Sequence, residues 1–285
     1  MRYQDLEFSI RPMKRSEMDF AVQLAAKEGW NPGLHDAECF YRTDPDGFFV
    51  GLLDENQPVG CISAVSYNGK FGFIGLYIVA AEHRGKGFGT ALWQRAMQRL
   101  DGHNIGLDGV VGQQANYRKS GFNLAYRNIR YQGADLRSTS RKDLVPLHQL
   151  SWERLVNYDS RFFPVRRIQF LSTWVRMPDS HGGAVVRSGR VTGYGIIRRC
   201  RNGFKVGPLF ADNEQIAGAI LTGLSKHIPR GEPIFLDVPE VNPAAVRLVE
   251  RCGMTKVFET ARMYTGPLPE IDLEGMFGVT TFELG

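Results

Sequence analysis

At 285 residues the chain is long for one ordinary domain and comfortable for two, and 43% hydrophobic with 23% charged residues are globular proportions. The formal net charge of +5 is spread along the chain, with no basic patch for nucleic acid. No apolar run approaches the ~20 residues that span a bilayer and no signal-peptide core follows Met1, so no membrane partner is expected and the cytoplasm is the expected compartment.

Taken in chain order, Ser16 followed three residues later by Asp19 resembles a capping box. Met18, Val22 and Ala25 then predict an amphipathic helix that stops at Gly29. Strands are predicted at Phe48–Leu53, 59–66 and Phe71–Val79, with Asn68-Gly69 as a type I′ hairpin turn before the last. A basic, glycine-rich turn precedes a helix from Thr90, whose Leu92, Trp93, Ala96, Met97 and Leu100 share one face. A strand at 105–111, a short helix at 113–120 and a closing strand at 124–131 complete this half. The polar stretch 134–142 reads as a linker. A second half opens with a helix near 144–155, and after Pro267 the tail 268–285 carries strand formers, which predict a strand added to one of two sheets.

The halves repeat one another. Pro58-Val59-Gly60 matches Val191-Thr192-Gly193, Asn68-Gly69 matches Asn202-Gly203, which likewise predicts a type I′ hairpin turn, and Ile74-Gly75-Leu76 matches Val206-Gly207-Pro208. Gly121-Phe122 and Arg130-Tyr131 match Gly253-Met254 and Met263-Tyr264 in the same order, which chance does not readily produce. The expected fold is of the α/β (α+β) class: two tandem domains, 1–133 and 143–267, each a mixed, mostly antiparallel sheet flanked by helices. Cys39, Cys61, Cys200 and Cys252 lie far apart with no C-x-x-C pair, which speaks against a disulfide framework or a zinc site.

Chemistry concentrates between Phe71 and Trp93, where an apolar strand, a glycine-rich turn and a helix start follow one another. Such a turn offers backbone N–H groups and the positive end of a helix macrodipole to an anion, and Arg84 and Lys86 add charge. No Gly-Lys-Ser or Gly-Lys-Thr is present for a P-loop, and Thr90 stands where a dinucleotide fingerprint needs its third glycine. The spacing Arg84-x-x-Gly87-x-Gly89, with Thr90 opening the helix, resembles the coenzyme A pyrophosphate loop of the GNAT superfamily of N-acetyltransferases. Both halves look like GNAT domains, but the second has Gly207-Pro-Leu-Phe-Ala-Asp212-Asn-Glu214 at the matching place, with no arginine and two acids that repel phosphate.

The resemblance implies direct acyl transfer from acetyl-CoA to a primary amine of a small molecule, at a site in the first half and without a metal. It places the pyrophosphate on Arg84, Gly85, Lys86, Gly87, Phe88, Gly89 and Thr90. The pantetheine arm would follow Leu76, Tyr77, Ile78 and Val79, an N–H of Ile78 or Val79 meeting the developing oxyanion. Tyr117 in Tyr117-x-x-x-Gly121-Phe122 would protonate the leaving thiolate. The family's asparagine seven residues before that tyrosine is here Val110, for which Gln113 or Asn116 could substitute. The second half shows the reverse, keeping Asn242 but placing Val249 where the tyrosine would stand. The family's strand glutamate, nine residues before the loop arginine, is here Gly75. Candidate bases are therefore Glu28 and Asp36, within an acceptor segment that also holds Trp30, Asn31 and His35; the pair Glu82-His83; or a water chain. A protein or peptide N-acetyltransferase and a non-catalytic acyl-CoA sensor are the competing functions, for a monomer or homodimer.

Overall fold

The structure is a computed structural model that describes residues 2–3, 6–136 and 144–285, so 137–142 of the expected linker lie outside the described residues. The first half runs β1 (Arg2–Tyr3), β2 (Leu6–Pro12), α1 (Met18–Lys27), α2 (Asp36–Thr43), β3 (Phe48–Leu53), β4 (Gln57–Tyr67), β5 (Phe71–Val79), α3 (Phe88–Arg99), β6 (Asn104–Val110), α4 (Gln114–Lys119) and β7 (Asn123–Gly133). The second runs β8 (Val145–Pro146), α5 (Trp152–Asp159), α6 (Ile168–Trp174), β9 (Ser180–Arg187), β10 (Arg190–Arg199), β11 (Phe204–Ala211), α7 (Glu214–Ser225), β12 (Ile234–Pro239), α8 (Pro243–Arg251), β13 (Thr255–Tyr264) and β14 (Met276–Gly278). Among the described residues no helix is long and apolar enough to cross a membrane.

Among the described residues fourteen strands join one mixed sheet, ordered β1-β2-β3-β4-β5-β6-β13-β7-β12-β11-β10-β9-β8, with β14 paired to β11. Of the strand pairs among the described residues, β5 with β6 and β11 with β12 run parallel and the others antiparallel. The last strand of each half is exchanged: β13 lies against β6, and β7 lies against β12. Each exchanged strand carries an arginine that grips an aspartate on its host. Arg130 on β7 donates to both oxygens of Asp237 on β12 at 2.6 and 2.8 Å, and Arg262 on β13 donates to Asp108 on β6 at 3.0 and 2.6 Å. Both pairs are buried. A one-residue slip would strand these charges away from water, so the pairs fix the register of the exchange.

Helices α3 and α7 pack on one side, over separate clusters around Leu92, Ala96 and Leu100 and around Ile216, Ile220 and Leu224. Helices α1, α2, α5 and α6 and the final segment share a third cluster common to both halves, in which Phe40 of α2 stacks on Trp174 of α6 at 6.4 Å.

Three local expectations change. Helix α1 opens after a single 3₁₀ turn, Arg15–Glu17, and the capping carboxylate is that of Glu17, which accepts from Lys14 N–H at 2.7 Å, rather than Asp19 acting with Ser16. The helix expected near 144–155 begins only at Trp152, because Val145–Pro146 joins the sheet edge and Ser151 supplies the N-cap, accepting from Arg154 N–H at 3.4 Å. Asn68 and Gly69 both have positive φ, as a type I′ turn requires, whereas Asn202 does not. Its backbone is instead bonded on both sides by the Asn31 side chain, at 2.8 and 2.9 Å.

The final segment returns to the sheet as a wedge. Strand β14 pairs antiparallel with β11, and Val279 N–H donates to Asp237 O on β12 at 2.8 Å, so the segment sits where those two strands part. Asn242 holds it there: its Oδ1 caps α8, and its Nδ2 donates to the carbonyls of Leu273, Glu274 and Met276 at 3.2, 2.8 and 3.0 Å.

Candidate active site

Strands β5 and β6 are paired only from Phe71↔Asn104 to Ile74↔Leu107, and then they separate. A bulge in β5 lies at the parting point. Leu76 and Tyr77 stand opposite Ile62 alone, Leu76 takes a left-handed φ of 45°, and Cys61 Sγ donates to Leu76 O at 3.1 Å. A left-handed leucine is strained backbone, which the surrounding ladder must hold in place. Past the bulge, the edge of β5 that faced β6 has no strand partner among the described residues, and it lines a cavity of about 610 Å³.

At one end of this cavity the chain turns through Arg84–Gly87 into α3. Gly85 and Gly87 have φ of 75° and 86°, conformations that other residues enter only with strain. Gly87 is the helix N-cap without a side-chain bond, and Ala91 N–H is bonded to Gly87 O, so the N–H groups of the first turn have no carbonyl within the helix. A Cβ at Gly89 would lie 2.9 Å from Tyr77 Oη, which keeps this turn bare. Arg84 donates to Val79 O at 2.8 Å and is ion-paired with Glu28. These residues fit a bound diphosphate: a glycine turn and the N–H groups of a helix start, with a guanidinium at its rim.

Tyr117 forms part of the cavity wall, beside Trp93 with ring centroids 5.5 Å apart. Gly109 makes room for it, since a Cβ there would sit 2.3 Å from Tyr117 Cε2. Burial, with a smaller push from Tyr77, raises its hydroxyl to about 12, so it is a proton donor at neutral pH.

Another part of the wall is built by both halves. Trp30 comes from the loop after α1, Phe258 and Thr260 from the exchanged strand β13, and Phe282 and Glu283 from the final segment. Arg130 lies 4.9 Å from the Phe282 ring and 5.7 Å from that of Phe258, while its Nη1 donates to Trp30 O at 2.8 Å. One buried guanidinium thus organises three aromatic walls.

The remaining residues singled out by sequence fall in different places. Leu76, Tyr77, Ile78, Val79, Arg84, Gly85, Gly87, Gly89, Thr90, Glu28 and Trp30 all line the cavity. Phe88 is buried against Phe8, their rings stacked at 4.5 Å, and anchors the loop from behind. Asn116 is exposed and donates to Gln113 Oε1 at 2.7 Å; of the two, Gln113 reaches the cavity. Glu82 is exposed on a 3₁₀ turn, Ala81–His83, outside the lining. Asn31, His35 and Asp36 are drawn away into contacts between the halves. His35 Nε2 lies 2.8 Å from Asp179, and Asp36 is buried in an ion pair with Arg198 at 2.9 Å. Sequence reasoning missed Phe258, Phe282 and Glu283. A signal for the last was present: Glu283 is the single charge in the run from Gly275 to Gly285.

The second half has the same parting of strands, but there the gap is filled. Strands β11 and β12 are paired only from Phe204↔Ile234 to Val206↔Leu236, after which β14 fills the gap. Asn213 caps α7 directly and Asp212 is bonded by Tyr158 and Arg161, so no glycine cradle remains.

Known proteins share both halves. Residues 13–122 match the Acetyltransferase (GNAT) family and residues 155–278 an Acetyltransferase (GNAT) domain. A Holothin acyltransferase from Pseudoalteromonas sp. (strain SANK 73390) is 28% identical over 279 residues, 98% of this chain and 95% of that protein. Among solved structures, a putative acetyltransferase from Pyrococcus horikoshii superposes with a TM-score of 0.84 at 23% identity, covering 100% of this chain and 98% of that one. A tandem GNAT protein from the clavulanic acid biosynthesis pathway superposes at 0.64 with 13% identity, over 92% and 100% of the respective chains.

Proposed function

Because this chain belongs to the Acetyltransferase (GNAT) family, as a tandem member, and is an N-acyltransferase, we propose that its first half transfers an acetyl group from acetyl-CoA directly to a primary amine of a small molecule. The observation that carries this reading is the parting of β5 and β6 into a cavity with the glycine loop at one end and Tyr117 in its wall, while the same gap in the second half is plugged by β14.

The cofactor supplies an acyl thioester; this chain's residues do the rest. The loop and Arg84 hold the diphosphate, and the open edge of residues 76–79 aligns the chain behind it, as an added strand would. A backbone N–H of Ile78 or Val79 stabilises the carbonyl oxygen as charge develops on it, a donor worth about 10²–10³ in rate. Tyr117, protonated at neutral pH, gives the departing sulfur its proton. An acceptor chamber walled by Trp30, Phe258 and Phe282 suits a compact amine with an apolar body rather than a protein chain. Tyr117 also favours an enzyme over a sensor, since mere binding of the thioester needs no acid.

The test is thiol release: incubation with acetyl-CoA and a panel of amines, holothin among them, should give free CoA only when an acceptor is present. No acceptor-dependent release from any amine, with acetyl-CoA still bound by calorimetry, would favour the sensor instead.

A further inference from the structure

We propose that Glu283, delivered into the cavity by the final segment, takes the proton from the acceptor's ammonium group; this rests on the transferase reading above. Position 75 on β5 cannot carry a side chain, because a Cβ there would lie 2.1 Å from Glu283 O and 2.8 Å from Glu283 C. The segment that excludes an acid from the strand brings its own to the same place.

Three carboxylates line the cavity, and two are committed. Asp108 accepts from Arg262 and from Asn128 at 2.8 Å, and Glu28 is paired with Arg84. Glu283 is 3% exposed, and among the described residues none donates a hydrogen bond to its carboxylate. Its backbone is firmly held. The N–H groups of Glu283 and Leu284 both donate to Thr281 Oγ1, at 3.0 and 2.9 Å, and Tyr67 Oη donates to Leu284 O at 3.0 Å. A buried acid on a fixed backbone, in a residue that lines the cavity and with no hydrogen-bond donor to its carboxylate among the described residues, is what a cationic acceptor requires.

Arg130 on β7 and Arg198 on β10 act on Glu283 with positive charge, each already paired with its own aspartate, Asp237 and Asp36. Lys205 on β11 is buried beside these arginines. Glu28, Tyr77, His83, Arg84, Asp108 and Tyr117 are the other ionisable side chains that line the cavity with Glu283, and His83 Nδ1 is buried with no hydrogen-bond partner among the described residues. The alternative role for Glu283 is therefore a passive counter-charge to that basic cluster.

The proton balance is complete. The ammonium gives one proton to the Glu283 carboxylate, which later passes it to solvent. The freed nitrogen pair forms the N–C bond, and the C–S bond breaks with its electrons on sulfur. The second nitrogen proton leaves through water, and sulfur receives one from Tyr117, which is then reprotonated from water.

The test compares the full-length wild type with Glu283→Gln on an alkylamine, protonated at pH 7, and on an arylamine, already neutral there. With the alkylamine, kcat/KM should fall about 10²–10⁴-fold at pH 7, and the deficit should shrink as pH rises toward the amine's own pKa. With the arylamine the loss should stay under about 10-fold. CoA affinity and the urea midpoint should match wild type. Should Glu283→Gln fold poorly, Glu283→Asp keeps the counter-charge and shortens the reach, and should lose about 10–100-fold in kcat with CoA affinity intact. Equal losses for both amines at every pH would establish the counter-charge role and overturn the proposal. An unimpaired variant of an active enzyme would overturn it alone. A wild type inactive on every amine would overturn both it and the transferase reading.

Discussion

Arg84 and Tyr117 both line one cavity, and their variants should fail in different ways. Arg84→Ala removes a charged donor at the cradle rim, worth about 1.5–3 kcal/mol, so CoA should bind about 10–100-fold more weakly in calorimetry. Tyr117→Phe keeps the ring packed on Trp93 and removes only the acid, so kcat should drop about 10²-fold with the Kd for CoA within about 2-fold. Equal loss of affinity in both would contradict these roles. Glu28 is ion-paired with Arg84, so on the proposed reading it would compete with the diphosphate for that guanidinium. The pair is half-exposed and so worth about 0.2–1 kcal/mol, and Glu28→Gln should tighten CoA by up to about 5-fold, the gain shrinking as salt is added. The loop was legible in sequence because its residues are consecutive and each has a local reason to be there. Glu283 was not, because its meaning depends on Gly75, at the far end of the chain. Asp36 illustrates the same limit: an acid after a helix reads as a pocket residue until Arg198 is seen beside it.

At the level of elements, strands β3 and β5 were read to the residue, because short apolar runs bounded by turn residues have few alternatives. Helix α2, between Asp36 and Thr43, escaped notice because its apolar positions, such as Ala37, Cys39 and Phe40, are too few to show a period. The tail was read as a strand, but which gap it enters is decided by glycines opposite it. Gly207 meets Thr280 O at 2.4 Å from its would-be Cβ, just as Gly75 meets Glu283 O at 2.1 Å. These two positions match one another in the sequence repeat, so the final segment crosses the parting points of both halves in turn. Gly75→Ala should therefore push the segment out of place. Its urea midpoint should fall by an amount corresponding to about 1–3 kcal/mol, and activity should fall with it, whereas Gly85→Ala, with open space around its Cβ, should not disturb the tail. A normal urea midpoint and normal turnover for Gly75→Ala would show that the segment does not depend on that contact.

For the whole molecule, buried hydroxyls and thiols set the alkaline limit. Burial raises Tyr117 and Cys61 each to about 12, and raises Tyr67, Tyr126 and Tyr194 as well. Between the ordinary values of roughly 8.5–10 and those raised ones, the unfolded chain holds fewer protons than the folded one, so stability falls as pH rises. The urea midpoint should be flat up to about pH 8.5 and then decline steeply, each group adding up to about 1.4 kcal/mol per pH unit. The strand exchange makes a further demand. Residues 1–133 alone would leave β6 without β13 and β7 without β12, with Arg130 deprived of Asp237 and Asp108 of Arg262. Such a fragment should fail to bind CoA or stay soluble, and a soluble, CoA-binding fragment would show the exchange to be dispensable. The repeat could be read from sequence, but not the exchange, since either half offers β7 an aspartate-bearing neighbour.

That exchange also schedules the birth of the protein. A ribosome finishes β6 at Val110 and must then make everything up to Thr255 before the neighbour of that strand exists. At about 5–20 residues per second this is a wait of roughly 10–30 s, during which an apolar strand edge stands bare at the exit tunnel. The nascent chain thus carries an unpaired strand edge through half of its own synthesis, and the stretch of cavity wall that Phe282 and Glu283 supply is closed only once those residues have been added.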